Sequence, residues 1–379
     1  MKPQTLSRRA FLAAAGSTAA ALATPAVLRA TSAVRPSGIR QSEPSGADAL
    51  EWSFIQPRPA KLDLWGRVTD YGVPVRESAG NESKVVSFLP INTVFPIFEI
   101  LNAPPPLSNP RNDRWYRTQA GYLYTNSVQL MKPYHMPAEV TQIDTQIDGQ
   151  PGFWAEVIVP YTVARNVPGG SPMATEAGET VVLTYGSTYR VVDTRTDDGG
   201  FVWYKLDDDK KAAPSYYALA RHLRQISAGD LTPINPGAEK QIVVNLSDQR
   251  MQCVENGNVV LDTLVSTGAG GFGTPKGEHA VVYKQLSRHM FSDPENEAFS
   301  DPNFFDLPGV PFNVFLTTIG HAIHGTYWHG DFGRARSHGC INVTPEIARF
   351  IYRWVEPIAP YEALASGSAK EPGTPIIVE

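Results

Sequence analysis

The 379-residue chain contains only two cysteines, Cys253 and Cys340, which leaves room for one disulfide at most. Charge is sparse as well. Asp, Glu, Lys and Arg make up 19% of the residues, and the formal net charge is −5. With no basic excess, nucleic acid is not expected as a partner. Beyond an alanine-rich stretch near the N-terminus no run is long and apolar enough to cross a bilayer. Helical periodicity is weak except in short pieces such as Pro345 to Val355. Turn formers are plentiful instead, with 31 glycines and 32 prolines, a mix that suits turn-rich β structure. Hydrophobic residues are 42% of the chain, enough for globular cores, and the length implies two or three domains.

Short strands between turns run from Leu64 to Lys132, among them Val73–Arg76, Lys84–Leu89, Thr93–Phe98, Arg114–Arg117 and Gly121–Tyr124. This spacing points to a small barrel. The Val-x-Val-Arg opening (Val73 to Arg76) and the closing Gly121-Tyr122-Leu123 resemble bacterial SH3-like domains, giving one such domain at 61–135. Trp115, Tyr116, Tyr122 and Tyr124 are expected mainly in its core, with a ligand platform as the alternative. Residues 151–228 repeat the character, and a second SH3-like domain is expected there. Asp207-Asp208-Asp209 lacks calcium-loop spacing and is expected as a solvated turn. Residues 231–238 read as a linker, and a third domain spans 239–379. Its expected strands include Ile242–Leu246, His279–Tyr283, Val314–Thr317, Ala322–Ile323 and a last one at Thr374–Val378. Cys253 is expected as a half-buried strand residue before the Asn256-Gly257 turn.

At the N-terminus, Ser7-Arg8-Arg9-Ala10-Phe11-Leu12 precedes the alanine-rich run and resembles a twin-arginine export signal. A signal at 1–33 and a linker at 34–60 are expected, with an uncleaved anchor as the alternative. The resemblance implies export to the periplasm or the cell wall and outer face, with no stable membrane span after cleavage. No cysteine follows to support a lipid anchor.

Gly268-Ala269-Gly270-Gly271-Phe272-Gly273 fits the dinucleotide fingerprint, but Thr274-Pro275-Lys276-Gly277 follows as a turn where a helix is required. It reads better as a glycine-rich connection beside a cleft. His321, His324, His329 and His338 lie within eighteen residues, with Cys340 just behind. Their spacings match no zinc pattern, and the intervening glycines prevent a helix from aligning the rings, so no metal is expected. The remaining chemistry is a thiol nucleophile with a histidine base. Gly339 permits a tight turn in which its N–H and that of Cys340 face a developing oxyanion. Cys340 and Cys253 are expected to stay unpaired, since a disulfide would consume the nucleophile.

Ile323-His324-Gly325-Thr326 followed by Ser337-His338-Gly339-Cys340-Ile341-Asn342 resembles the active-site signature of the L,D-transpeptidases of bacterial cell walls. Val265-Ser266-Thr267-Gly268, Thr274-Pro275-Lys276-Gly277, Ser287-Arg288-His289-Met290 and Tyr327-Trp328-His329 fit the same family. With the turn-rich composition and the two SH3-like segments, the expected fold is mainly β, two small SH3-like barrels followed by a β-rich catalytic domain with short helices. It implies Cys340 as nucleophile and His324 as general base, with His321 the competitor. His338 and Gly339 shape the loop, and Ser337 and Asn342 brace it. Asn342 stands where the family often has arginine. Tyr327, Trp328, Arg288 and His289 are expected at the substrate or in structural roles. The implied reaction is acyl transfer on peptidoglycan stem tetrapeptides through a thioester, without metal or organic cofactor. Carbapenem-type β-lactams are implied as inhibitors. A carboxypeptidase or endopeptidase using water and a non-catalytic wall-binding protein are the alternatives.

Overall fold

A computed structural model describes residues 62–379, apart from 134, 175–177, 179, 208, 210–214 and 293–303. The export signal and linker expected at 1–60 lie outside the described residues. The described residues from 62 to Ser292 and from Phe305 to Glu379 belong to one compact unit, and its strands fall into three successive groups along the chain.

In the first group, Trp65–Val68 lies between Val94–Pro96 and Val128–Met131 in a three-stranded sheet. A five-stranded sheet runs in the order Val85–Leu89, Val73–Arg76, Tyr122–Tyr124, Arg114–Arg117, Glu99–Asn102. Val68, Val75, Phe95, Ile97 and Leu123 fill the core between them. Tyr116 joins that core, and Trp115 packs on Tyr124 with ring centroids 5.2 Å apart. Core packing is therefore the role of these three aromatics; Tyr122 is half-buried.

The second group centres on a sheet ordered Tyr216–Leu219, Val202–Asp207, Thr188–Thr196, Phe153–Val157, Leu223–Gln225. Phe153, Tyr189, Val191, Tyr204 and Leu206 form its core. Asp207 and Asp209 are not a free turn. Asp207 pairs with Arg190, and Asp209 with Arg288 at 2.7 Å.

The third group is a sandwich of two sheets. One is ordered Asn258–Leu264, Arg250–Glu255, Lys240–Asn245, Pro375–Val378, Gly277–Ala280. The other is ordered Tyr283–Phe291, Asp306–Phe315, Ala322–Gly325, Ile341–Val343. Alternation along Lys240–Asn245 turns Ile242 and Val244 inward, where they meet Met251, Phe312, Val314, Ile323 and Ile341. Each such side chain contributes about 1.5–3 kcal/mol by leaving water. Cys253 is completely buried in this core rather than half-buried, and both cysteines are free. Its β-strand faces the filled interior between two sheets instead of a half-solvated surface. The C-terminal strand sits inside its sheet, parallel to Lys240–Asn245 and antiparallel to Gly277–Ala280.

Two strands differ from expectation. The segment read as one strand, His279–Tyr283, divides at Val281 and Val282 between the two sheets. The strand expected at Val314–Thr317 begins eight residues earlier, at Asp306. Pro308, Gly309 and Pro311 hide it from pattern reading. The register shift opposite Arg288 and Met290, and a positive φ of 55° at Phe312, absorb them.

The one α-helix among the described residues, Pro345–Trp354, has local reasons to start where it does. Thr344 is the N-cap, its hydroxyl accepting from Ile347 N–H at 3.4 Å, and Pro345 occupies the first turn. Ala348 and Ile351 face the core. Buried Lys284 donates to the carbonyls of Tyr352 and Val355 at 2.8 and 2.9 Å, capping the far end. Glu156 of the second group ties this helix down through Arg349 and also binds Arg224. None of the described helices is long and apolar enough to cross a membrane.

Candidate active site

The site is built on two parallel strands. Ala322–Gly325 pairs with Ile341–Val343 so that Ile323 meets Ile341 and His324 meets Asn342. Both isoleucines belong to the core. Side chains alternate, so His324 and Asn342 share the opposite face, and Cys340 lies just outside the strand, one residue before Ile341.

Hydrogen bonds from three directions shape the loop that delivers Cys340. Ser337 Oγ donates to the Cys340 carbonyl at 2.5 Å and accepts from Gly339 N–H at 3.2 Å. Thr274 Oγ1 donates to the Gly339 carbonyl and accepts from Gly268 N–H, both at 2.9 Å. Ser337 N–H reaches the Thr267 carbonyl at 2.9 Å. The glycine-rich run thus wraps the nucleophile loop, as a connection beside a cleft should. Gly339 has φ of +105°, and a Cβ there would lie 2.6 Å from the His321 ring. Only glycine meets both conditions. The His338 ring is held between Phe272 and Phe305, at centroid distances of 4.5 and 4.9 Å. One expected feature changes: Gly339 N–H is taken up by Ser337, which leaves Cys340 N–H as the oxyanion donor to consider.

Cys340 is partly accessible. Its thiol donates to the Gly320 carbonyl at 3.7 Å. Burial pushes the thiol up to about 11, opposed by the Ala322 N–H aimed at the sulfur. Among the described residues, no hydrogen bond joins the sulfur to either candidate base.

His324 is buried, with Nδ1 donating to the Gly325 carbonyl at 3.1 Å and the ring 5.8 Å from Trp328. That tautomer leaves a lone pair on Nε2, the form a base requires. Burial holds the ring down to about 4, so it is neutral at pH 7. His321 is half-buried against Gly339, with Nδ1 3.1 Å from Thr317 Oγ1. Burial, and secondarily His279, lower its basicity. His329 is equally buried. Its Nδ1 accepts from Asp331 N–H at 3.1 Å, and its Nε2 faces the Asn342 side-chain amide at 3.0 Å. Burial keeps it well below the usual imidazole range.

Asn342 therefore braces the floor of the site through His329, and Ser337 braces the loop. Trp328 lies over His324. Tyr327 is buried, with its hydroxyl donating to the Pro308 carbonyl at 2.6 Å. It serves packing, the structural one of the two roles considered for it. Arg288 and His289 also make internal pairs. Arg288 pairs with Asp209, and the His289 ring meets Asp306 while its backbone N–H donates to Asp209 at 2.6 Å. Both bind the second strand group to the sandwich. Sequence reading gave Thr274 and Gln249 no role of their own. Gln249 clamps Thr267, its amide donating to the hydroxyl at 2.6 Å and accepting from Thr267 N–H at 2.9 Å. Thr274 had a signal, since it follows the glycine-rich run. Gln249 had none, for the contact spans eighteen residues. Among the described residues, no group of three or more His, Cys, Asp or Glu is placed to hold a metal.

A thiol-bearing loop thus runs into the strand that pairs with the strand of an imidazole, at one pair of parallel strands of the β-sandwich. Residues 239–378, the span of this sandwich, match the family model of the L,D-transpeptidase catalytic domain, YkuD. Solved structures similar to the chain include an L,D-transpeptidase from Mycobacterium smegmatis, at 21% identity and a TM-score of 0.32 over 47% of this chain and 90% of that one. The L,D-transpeptidase LdtMt1 in complex with imipenem is 17% identical, with a TM-score of 0.31 over 47% and 90% of the two chains. L,D-transpeptidase 3 from Mycobacterium tuberculosis, in complex with a faropenem-derived adduct, is 19% identical, with a TM-score of 0.31 over 49% and 77%. A search of curated proteins gives no match.

Proposed function

We propose that the protein is an exported peptidoglycan L,D-transpeptidase whose nucleophile is Cys340 and whose base is His324. The observation that carries this reading is the register of two parallel strands that pairs His324 with Asn342, two residues after Cys340, inside the segment matching the family. Rotation of the Cys340 side chain away from Gly320 frees the sulfur, and His324 Nε2 takes its proton. The thiolate attacks the carbonyl on the L-centre of a stem tetrapeptide. The carbon–nitrogen bond to the terminal D-alanine breaks, the amine leaves with the proton from His324, and a thioester remains. Cys340 N–H stabilises the tetrahedral oxyanion. An amine from a neighbouring stem then attacks the thioester, releasing the thiol and forming the cross-link. His324 is preferred over His321 because its tautomer is fixed by Gly325, whereas the His321 ring is packed against Gly339. Two of the similar structures hold imipenem and a faropenem-derived adduct, so β-lactams of this class are proposed to acylate Cys340.

The test is incubation with a disaccharide-tetrapeptide, with chromatography and mass spectrometry of the products. Wild type should release D-alanine and form a dimer, and Cys340→Ala should do neither. Full product formation by Cys340→Ala overturns the reading.

A further inference from the structure

The segment from Gly325 to Arg336 joins the proposed base to the nucleophile loop, and the first strand group grips it along its length. Arg67, on Trp65–Val68, is buried. Its guanidinium donates to Gln129 Oε1 at 3.0 and 2.8 Å, to Asn92 Oδ1 at 2.7 Å and to the Tyr327 carbonyl at 2.7 Å. These acceptors are neutral oxygens, an expensive setting for a buried cation and not one that a mere spacer requires. Burial brings the guanidinium down to about 10, still cationic at neutral pH. Three residues further on, Gly330 N–H donates to the Asn126 carbonyl at 2.8 Å. A Cβ at Gly330 would meet the Thr125 carbonyl oxygen at 2.3 Å, so the backbones touch without a side chain between them. Asn109 donates to Asp331 Oδ1 at 3.1 Å and to the Phe332 carbonyl at 2.9 Å. Asn112 reaches the same carbonyl at 3.2 Å.

Every gripped residue leads directly to the chemistry. Tyr327 packs edge-on against Trp328 at 4.9 Å, and Trp328 covers His324. His329 meets Asn342, two residues from Cys340. Asp331 pairs with Arg334 at 3.1 Å and with Arg336 at 3.6 Å, and Arg336 runs into Ser337. We propose that residues 62–131 are part of the catalytic apparatus, and that Arg67 is a positioning residue which sets His324 and Cys340 relative to each other through the Tyr327–Asp331 segment. This inference rests on the transpeptidase reading above.

The test uses the full chain as wild type, Arg67→Met, Arg67→Lys and Asn109→Ala. Thermal midpoints are measured alongside the rate of carbapenem acylation at 25 °C as a function of pH. A displacement of about 1 Å at reacting groups costs roughly a hundredfold in rate. In folded Arg67→Met, acylation is expected to slow by about 10- to 100-fold with a shifted pH profile. Asn109→Ala should slow in the same direction by less, and Arg67→Lys should recover part of the Arg67→Met loss. Should Arg67→Met fail to fold, Asn109→Ala and Arg67→Lys decide. Wild-type rates and pH profiles in the folded variants, whatever their melting temperatures, overturn the inference. Absence of any adduct on the wild-type protein overturns the transpeptidase reading itself, a separate result.

Discussion

At Cys340, burial favours the protonated sulfur, only partly opposed by the Ala322 N–H, and burial likewise keeps His324 neutral. The resting pair is therefore thiol and imidazole, not thiolate and imidazolium. The thiolate fraction of a group pushed up to about 11 keeps growing with pH through 8, 9 and 10. Alkylation of Cys340 by iodoacetamide should accelerate throughout that range, without the low-pH plateau of a preformed ion pair. A plateau between pH 6 and 7 would show that the ion pair exists at rest. Gly339→Ala tests the loop. The substitution forces a side chain into a positive-φ position and against His321, so activity should fall by at least about tenfold, strain of this kind costing about 1–3 kcal/mol. Normal turnover by Gly339→Ala would mean that the loop relaxes freely.

Among the elements, the helix Pro345–Trp354 was the most legible in sequence. Its N-cap threonine, first-turn proline and apolar spacing all act within a few residues. The nucleophile loop was legible for the same reason: Ser337, Gly339 and Cys340 bond to one another. The hairpin of Tyr283–Phe291 and Asp306–Phe315 was not, because prolines and a bulge broke its alternation and only cross-strand pairing reveals it. Lys284 on that hairpin was also silent in sequence, though it caps a helix sixty-eight residues away. Burial holds its ammonium down to about 7 from 10.5. Between those values the unfolded chain binds more protons than the folded one, so this residue makes stability rise with pH from about 7 to 10.5. Below pH 7 both states are protonated and the burial penalty is constant. In urea titrations at pH 6, 8 and 10, wild type should gain stability with pH relative to Lys284→Met. Parallel pH dependences would contradict this. Ile323→Ala, which empties a fully buried position beside the catalytic strand, should cost about 2–5 kcal/mol in the same titrations.

Across the whole molecule, the first two strand groups are joined to the sandwich by buried polar contacts. Thr188 Oγ1 donates to the Leu286 carbonyl, and Trp154 Nε1 to the Tyr361 carbonyl, both at 3.0 Å. Gln129 links the first group to the second through the Tyr185 carbonyl at 2.7 Å. Sequence reading saw repeated β character along the chain, but it treated the segments as independent. The contacts that join them span up to 260 residues, and no local pattern carries such information. Arg67 illustrates the point: in sequence it is one arginine in a strand, and only the folded chain shows what it holds.

The most direct test of the account is intact-mass spectrometry of the full chain after incubation with a carbapenem, followed by peptide mapping. The account predicts a single covalent adduct on Cys340, absent from Cys340→Ala and slowed in His324→Ala. An unmodified wild-type protein, or an adduct that persists in Cys340→Ala, would contradict it.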